Sequence, residues 1–436
     1  MQRKWLIMAA ASLAFFFVTG TTFTSLGVVL YTMVAELHWS QSAAGFSFSL
    51  LGLSCGLSSH LPAVTMKWVG SRWTLFAGGM VLALGFALAA VSHTLGVFFV
   101  ATTLMGIGFT LMAPVPGIYL IATWFPKTSS RMIGFYFMAG ACGGVFGPPL
   151  VEMIVDLSGS WRLHWAIMAG AAAVIGILSA LVVKDLVPIK HADEVERINK
   201  LGPASGTPVD ADEPLWTSRQ AVITRQFLLI ALAMVIVQTA VTTIHSMFVT
   251  HIVHLGGSRA FGAFAMSALA LTGTLTKGIA GAVAERVHPK TLLVGGMVLQ
   301  CLAFLLLGLA HMPVMAYAFA VIFGAGWGAS WLSAHVLLLR YFGRNAAAGV
   351  VATATMVTTA AVLGPVTAGM IADSTGSFTP IFFVYVVLLA IAVASTSLMR
   401  APRKHGSQEE PRRETASGGR TSSDLGSVGE PLRASE

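Results

Sequence analysis

Lys277 is the residue that most needs a chemical explanation. It lies some 16 positions into the apolar run 262–284, roughly 24 Å along a helix rising about 1.5 Å per residue, with few other charges nearby. An ammonium at that depth costs about 2.5–3.5 kcal/mol on insertion scales, so it should face a partner or a cavity. The chemistry open to it is that of a counter-ion for a carboxylate; the alternative is a four-carbon stem reaching for headgroups. Gly273, Thr274 and Gly281 share its face at helical spacing, leaving room and one hydroxyl beside it. Other polar groups sit in apolar runs: Gln238, Thr242, Thr243 and His245 in 226–252, and His335 in 313–339. The amide and hydroxyls could line a path, and the histidines could titrate or donate to a ligand. Tyr119 follows the interruption Pro114-Val115-Pro116-Gly117 and offers a hydroxyl to a carboxylate. Glu152, four residues before Asp156, is the best-placed acid, either a coupling group or a helix contact.

These residues suit binding, and catalysis finds no footing. No phosphate loop, G-x-S-x-G, H-E-x-x-H or dinucleotide fingerprint stands in a compatible context, and Gly106-x-Gly108 lies inside an apolar run. The twelve histidines give no i, i+4 pair with a third ligand at hand, and Cys55, Cys142 and Cys301 are far apart in apolar surroundings. The expectation is a protein that is not an enzyme and uses no metal or other cofactor. A folded sensor domain has no room in the central loop or the tail.

The elements that must position these groups follow from composition. Hydrophobic residues make up 56% of the 436 and charged ones 10%, with a mean hydropathy of +0.78. Soluble domains carry roughly 25% charge, so a polytopic membrane protein is the class that remains, and nucleic-acid binding is excluded despite the net +8. A spanning helix needs about 20 apolar residues. Twelve such runs are legible, near 5–34, 44–66, 73–91, 96–123, 131–155, 163–183, 226–252, 262–284, 291–309, 313–339, 346–371 and 379–399. The predicted domains are a bundle of six helices over 1–183, a polar loop over 184–225, a second bundle over 226–399 and a disordered tail over 400–436. Of the 26 Lys and Arg, Arg162, Arg259 and Lys277 alone fall outside one set of loops and ends. The positive-inside rule then puts both termini and the central loop in the cytoplasm, in a multi-pass protein of the cell membrane.

The chain is also written twice. Gly147 to Ser160 reads GPPLVEMIVDLSGS and Gly364 to Ser377 reads GPVTAGMIADSTGS, seven of fourteen positions identical at an offset of 217. The same offset pairs Gly78-Gly79-Met80 with Gly295-Gly296-Met297 and Phe125 with Phe342. Two parallel six-helix repeats belong to transporters that rock two bundles around a cavity. At this point the sequence resembles the major facilitator superfamily over about residues 5–400. The family's turn motif G-x-x-x-[DE]-R-x-G-x-[RK] is matched by Gly281, Glu285, Arg286 and Lys290. In the first half Gly70 and Arg72 remain, with Lys67 where the acid should be.

A narrower resemblance is to the monocarboxylate-porter and oxalate/formate-antiporter branches. It rests on Ser25-Leu26-Gly27-Val28-Val29, on Trp124-Phe125 and Tyr341-Phe342, and on Lys277-x-x-x-Gly281-x-x-x-Glu285-Arg286. The branch's acidic-Gly signature is replaced by Thr19-Gly20-Thr21-Thr22, and its usual Arg is here Lys277. The resemblance implies an all-α membrane protein of twelve transmembrane helices in the major facilitator fold. It also implies proton-linked, alternating-access transport of a small organic monoanion and a monomer in the lipid bilayer. The run 346–371 holds no Lys or Arg, which favours a monoanion over a dicarboxylate. Lys277, Tyr119, Thr274, Gln238, His335 and His245 are the expected substrate contacts. Gly147, Pro148, Gly364 and Pro365 are the expected bends for gating, with the turn-motif residues. The rival expectation is an exporter of hydrophobic drugs or metabolites, indifferent to loss of Lys277.

Overall fold

A computed structural model describes residues 2–126, 128–185, 216–284 and 286–402, and every regular element among them is helical. In hydrocarbon each backbone polar group must be satisfied within its own segment, which leaves the helix as the answer to uniformly apolar runs. Among the described residues, eleven helices are long and apolar enough to cross a membrane by length and composition. The expected run 44–66 is delivered in two pieces. The first is the 17-residue helix Gln41–Leu57; the second is the opening of Leu61–Ala90, where Gly70 at φ 82° separates it from the next run. Most of the predicted central loop and of the tail lies outside the described residues.

In chain order the first set of helices is α1 (Gln2–Thr21), α2 (Leu26–Leu37), α3 (Gln41–Leu57), α4 (Leu61–Ala90), α5 (Leu95–Met112), α6 (Val115–Trp124), α7 (Ser129–Ser158) and α8 (Trp161–Val182). The second set is α9 (Ser218–Val222), α10 (Arg225–His254), α11 (Arg259–Val283), α12 (Pro289–Gly308), α13 (Pro313–Val357), α14 (Leu363–Thr375) and α15 (Thr379–Ser397), with a 3-10 turn over Thr358–Val362.

Two of the expected single spans are broken, each for a local reason. Between α1 and α2 the hydroxyls of Thr21, Thr22, Thr24 and Ser25 bond back to the carbonyls of Phe17, Val18, Thr19 and Gly20, competing with the helix ladder. Between α5 and α6, Pro114 has no N–H to continue the ladder, and the Tyr136 hydroxyl donates to its carbonyl at 3.2 Å.

Proline also shapes the equivalent helices α7 and α14. Pro149 cannot donate to the Val145 carbonyl, and the Ser267 hydroxyl of α11 donates to it instead, at 2.5 Å. Pro365 likewise cannot donate to the Ala361 carbonyl, and the Val362 carbonyl stands next to it at the start of α14. Thr242 of α10 donates to the first at 3.0 Å and Ser49 of α3 to the second. Val145 and Val362 are equivalent in the repeat, so a hydroxyl from the other set meets the same carbonyl position twice. Around it α7 packs on α11, α3 on α14 and α2 on α10. These contacts involve the early turns of α3 and α11 and the late turns of α7 and α14. Call that the latch end. The opposite, basic end carries Arg3, Lys4, Lys67, Arg72, Arg286 and Lys290.

The expected bend residues Gly147 and Pro148 lie inside an uninterrupted α7, while Gly364 and Pro365 open α14 after the 3-10 turn. Gly147 serves close packing: a Cβ there would come within 2.6 Å of the Gly20 Cα on α1. Gly147→Leu is expected to destabilise the protein by about 1–3 kcal/mol through overpacking. Gly170→Leu, with nothing within 4 Å of a Cβ, should leave the thermal midpoint in detergent unchanged. Equal midpoints for the two variants would refute this packing argument.

Candidate functional site

Lys277 sits six residues before the end of α11, and its Nζ lies 3.7 Å from the ring centroid of Trp327 on α13. The ring reaches it because α11 and α13 are in close contact. Gly273 has no Cβ, which would otherwise stand 2.9 Å from Trp327 Cε3, and Gly328 backs onto the Gly273 carbonyl. Trp327 packs one turn toward the start of α11, so the lysine stem runs away from the basic end. That is opposite to a side chain reaching for headgroups there. A desolvated cation over an indole face is held by about 2 kcal/mol.

Two histidines complete the cluster. His245 of α10 meets Trp327 edge-on, ring centroids 6.4 Å apart, and is 8% exposed. His335 lies one turn below Trp331 on α13, ring centroids 5.0 Å apart. The Nδ1 of each is 2.8 Å from the carbonyl four residues earlier, Val241 and Trp331 respectively. Neutral rings donating from Nδ1 fit this geometry and leave Nε2 as the acceptor. Both lie within electrostatic reach of the Lys277 ammonium. His245 also marks the centre of the fold, since its carbonyl abuts Gly27 of α2 in the other set.

The remaining sequence candidates are distributed differently. Thr274 spends its hydroxyl on the Ala270 carbonyl of its own helix, at 2.8 Å. Gln238 is half-buried on α10, and its carbonyl accepts from the Thr242 hydroxyl. Tyr119 falls in a different place, buried with Ile7, Met66, Leu75, Leu120 and Val183 in the first set. Among the motif residues, a Cβ on Gly281 would stand 3.4 Å from Leu332 Cδ2 and Arg286 is exposed, while Glu285 lies outside the described residues. Lys290 donates from Nζ to the carbonyls of Ser397 and Met399, each at 2.7 Å. His288 lies beside it outside the spans. Burial, with Arg340 and Lys290 adding repulsion, holds its imidazole below the usual range. The carboxylate lacking at Lys67 is supplied by Asp185, which accepts from the N–H groups of Ser71 (3.2 Å) and Arg72 (3.5 Å) just after Gly70. Trp327, Asp185 and Arg259 are the residues whose positions spacing alone did not reveal.

Charge is arranged with care at the latch end. Arg259 at the start of α11 has its Nε 3.4 Å from Glu152 and a terminal nitrogen 3.8 Å from Asp156, both on α7. Asp373 on α14, the repeat partner of Asp156, accepts from the N–H groups of Gln41 (2.8 Å) and Ser42 (2.9 Å) at the start of α3. Both ties join the two sets. Among the described residues no group of three or more His, Cys, Asp or Glu could hold a metal ion.

The profile of the Major Facilitator Superfamily matches residues 11–252 and again 230–430. The uncharacterized transporter YycB of Bacillus subtilis (strain 168) is 28% identical over 50% of this chain and 50% of its own. The multidrug resistance protein MdtH of Cronobacter sakazakii (strain ATCC BAA-894) is 27% identical over 34% of this chain and 35% of its own. The chain thus spans half or less of the length of the curated relatives it matches. Among solved structures, the nucleoside transporter NupG superposes with a TM-score of 0.74 at 15% identity, covering 92% of this chain and all of that one. A bacterial homologue of the lysosomal transporter Spinster, in an inward-facing and unoccupied conformation, gives 0.69 at 15% identity, covering 91% and 96%. At such identity these two speak to the fold alone.

A double-mutant cycle of Lys277→Met and Trp327→Leu should return a coupling of about 0.5–2 kcal/mol in thermal unfolding. Additive effects would show that the ammonium gains nothing from the ring.

Proposed function

The chain belongs to the Major Facilitator Superfamily, and from that premise we propose that it carries a small, monocarboxylate-like organic monoanion by proton-linked alternating access. Membrane transport is the family's business; the anion is our reading. It is supported above all by one observation: the Lys277 ammonium, deep in a span, is turned toward Trp327 and His245 at the centre of the fold. A buried cation resting on an aromatic face is only partly compensated, because a quadrupole attracts it more weakly than an anion at hydrogen-bond distance. A carboxylate that lifts the ammonium off the indole gains a charge-assisted hydrogen bond. His245 and His335 add polar edges on one side, and Gln238 adds an amide from α10. Tyr119, buried in its own cluster, is left out of this site. One cation, with no second Lys or Arg in 346–371, matches one negative charge. It keeps the oxalate-type dicarboxylates as poorer candidates than monocarboxylates.

In the proposed cycle, contacts at the latch end hold one side shut while the basic end admits or releases the anion. The excess of Lys and Arg supports a basic end that faces the cytoplasm, by the positive-inside rule. The bundles 1–183 and 226–399 are proposed to rock as bodies about the central site. The rival reading, export of hydrophobic compounds, is favoured by the likeness to MdtH, and it makes the opposite forecast for Lys277.

The test is a thermal-shift screen of the purified protein against small mono- and dicarboxylates, repeated on Lys277→Gln. A true substrate at about 100 times its Kd should stabilise the parent by about 2.7 kcal/mol and leave the variant unmoved. Uptake of that compound into proteoliposomes should fall to background in the variant. Full uptake by Lys277→Gln, or stabilisation of both proteins by uncharged apolar compounds alone, would transfer the assignment to the rival.

A further inference from the structure

The two repeats finish their basic ends differently. In the first, the helix that resumes after Gly70 starts at Ser71 and Arg72. The Asp185 carboxylate accepts from the Ser71 N–H and hydroxyl and from the Arg72 N–H, so this end carries an anion of its own. At the repeat offset of 217, Ser71 corresponds to His288, Arg72 to Pro289 and Asp185 to Pro402. The carboxylate has no counterpart there. Instead a cavity of about 460 Å³ is lined by His288, Lys290, Thr291 and Tyr341, with Ser397 and Met399 from the end of α15.

The groups around this cavity are donors. Lys290 gives two of its three ammonium N–H groups to the carbonyls of Ser397 and Met399, each at 2.7 Å, and keeps the third. His288 accepts the Lys290 backbone N–H at Nδ1, 3.2 Å away, so its neutral ring carries the proton on Nε2. Tyr341 is 7% exposed and lines the cavity, and its hydroxyl has no hydrogen-bond partner among the described residues. Thr291 adds a second hydroxyl. The Arg340 guanidinium is within electrostatic reach of both His288 and Tyr341. Among the described residues no carboxylate pairs with Lys290, His288 or Arg340.

We propose that this cavity binds the phosphate group of a phosphate ester, which brings to the second repeat the anion that Asp185 supplies to the first. A phosphate monoester carries about −1.5 to −2 charge at neutral pH and three acceptor oxygens. That suits two fixed cations, an imidazole N–H and two hydroxyls better than a single carboxylate does. Against the roughly 30 Å³ that a water molecule occupies in the liquid, the cavity also has room for the rest of the ester. Bound phosphate bridges the start of α12 to α13 and, through Lys290, to the end of α15. Two sources present this chemistry at a basic end: the headgroup of an anionic phospholipid and a dissolved phosphate ester. The site is separate from the Lys277 cluster, which lies deep in a span.

The purified full-length protein can be titrated in two arms, each read by its thermal midpoint. One arm adds inorganic phosphate or glycerol 3-phosphate at constant ionic strength. The other adds phosphatidic acid to the detergent micelles, against phosphatidylcholine as the neutral control. The midpoint should rise to saturation in at least one arm, and the arm that responds names the source. Arg340→Gln and Tyr341→Phe should each raise the apparent Kd about tenfold, as loss of a hydrogen bond to a charged group does. They carry the test if Lys290→Gln, which also frees the end of α15, fails to fold. Thr291→Glu puts a carboxylate into the cavity and should abolish the response. Lys67→Gln, at the basic end of the first repeat, should respond as the parent does. A parent silent in both arms, full responses from both Arg340→Gln and Tyr341→Phe, or a Lys67→Gln that loses the response as fully would each overturn the assignment.

Discussion

A carbonyl without a donor is expensive in hydrocarbon, several kcal/mol by general estimates, and proline creates such carbonyls wherever it enters a helix. Much of this fold is arranged around two of them and a third beside them. The Val145 and Ala361 carbonyls, freed by Pro149 and Pro365, and the neighbouring Val362 carbonyl accept hydroxyls from Ser267, Thr242 and Ser49. Two of these hydroxyls come from the opposite set of helices. The same residues that weaken α7 and α14 as isolated helices therefore tie the two halves of the molecule together. Because the bonds are neutral and few, water could replace them at a modest cost. A hydrophobic seam of the same area would resist parting more strongly.

The Lys277 cluster obeys a related rule, that no charge is left in a span without an attraction. Here the attraction is an aromatic face, which holds the ammonium in place and still leaves its N–H groups free to turn to a better partner. Gly273 and Gly328 make this possible by letting α11 and α13 approach until the indole lies over the lysine. Removing the glycines would part the helices and strand the cation. Site and packing are in this respect one feature.

Much of this architecture is legible from residue types alone. Apolar runs fixed the spans, Pro114 marked the break between α5 and α6, and the repeat of GP…D…GS segments announced the equivalence of α7 and α14. The break between α1 and α2 escaped notice because no proline or charge signals it. Four hydroxyls in five residues do, through bonds to their own backbone. Tyr119 packs in a cluster apart from Lys277, and a uniformly apolar helix has no polar face to show which way a tyrosine points. Arg259 looked like an ordinary loop cation, although its repeat offset from Ser42, read together with that of Asp156 from Asp373, contained the clue. Asp185 was hidden by distance, as its partners Ser71 and Arg72 lie more than a hundred positions earlier.

The unlike ties at the latch end also differ in how they respond to dissolved salt. Mobile ions act across a Debye length of about 8 Å at physiological strength. They reach Asp156 and, through it, the guanidinium of Arg259, whose side chain is 25% exposed. They weaken a direct carboxylate-to-amide bond much less, because its strength lies in short contact and geometry. A carrier built this way senses brine on one flank and not on the other. In concentrated electrolyte the α7–α11 seam relaxes before the α3–α14 seam, with no dedicated sensor.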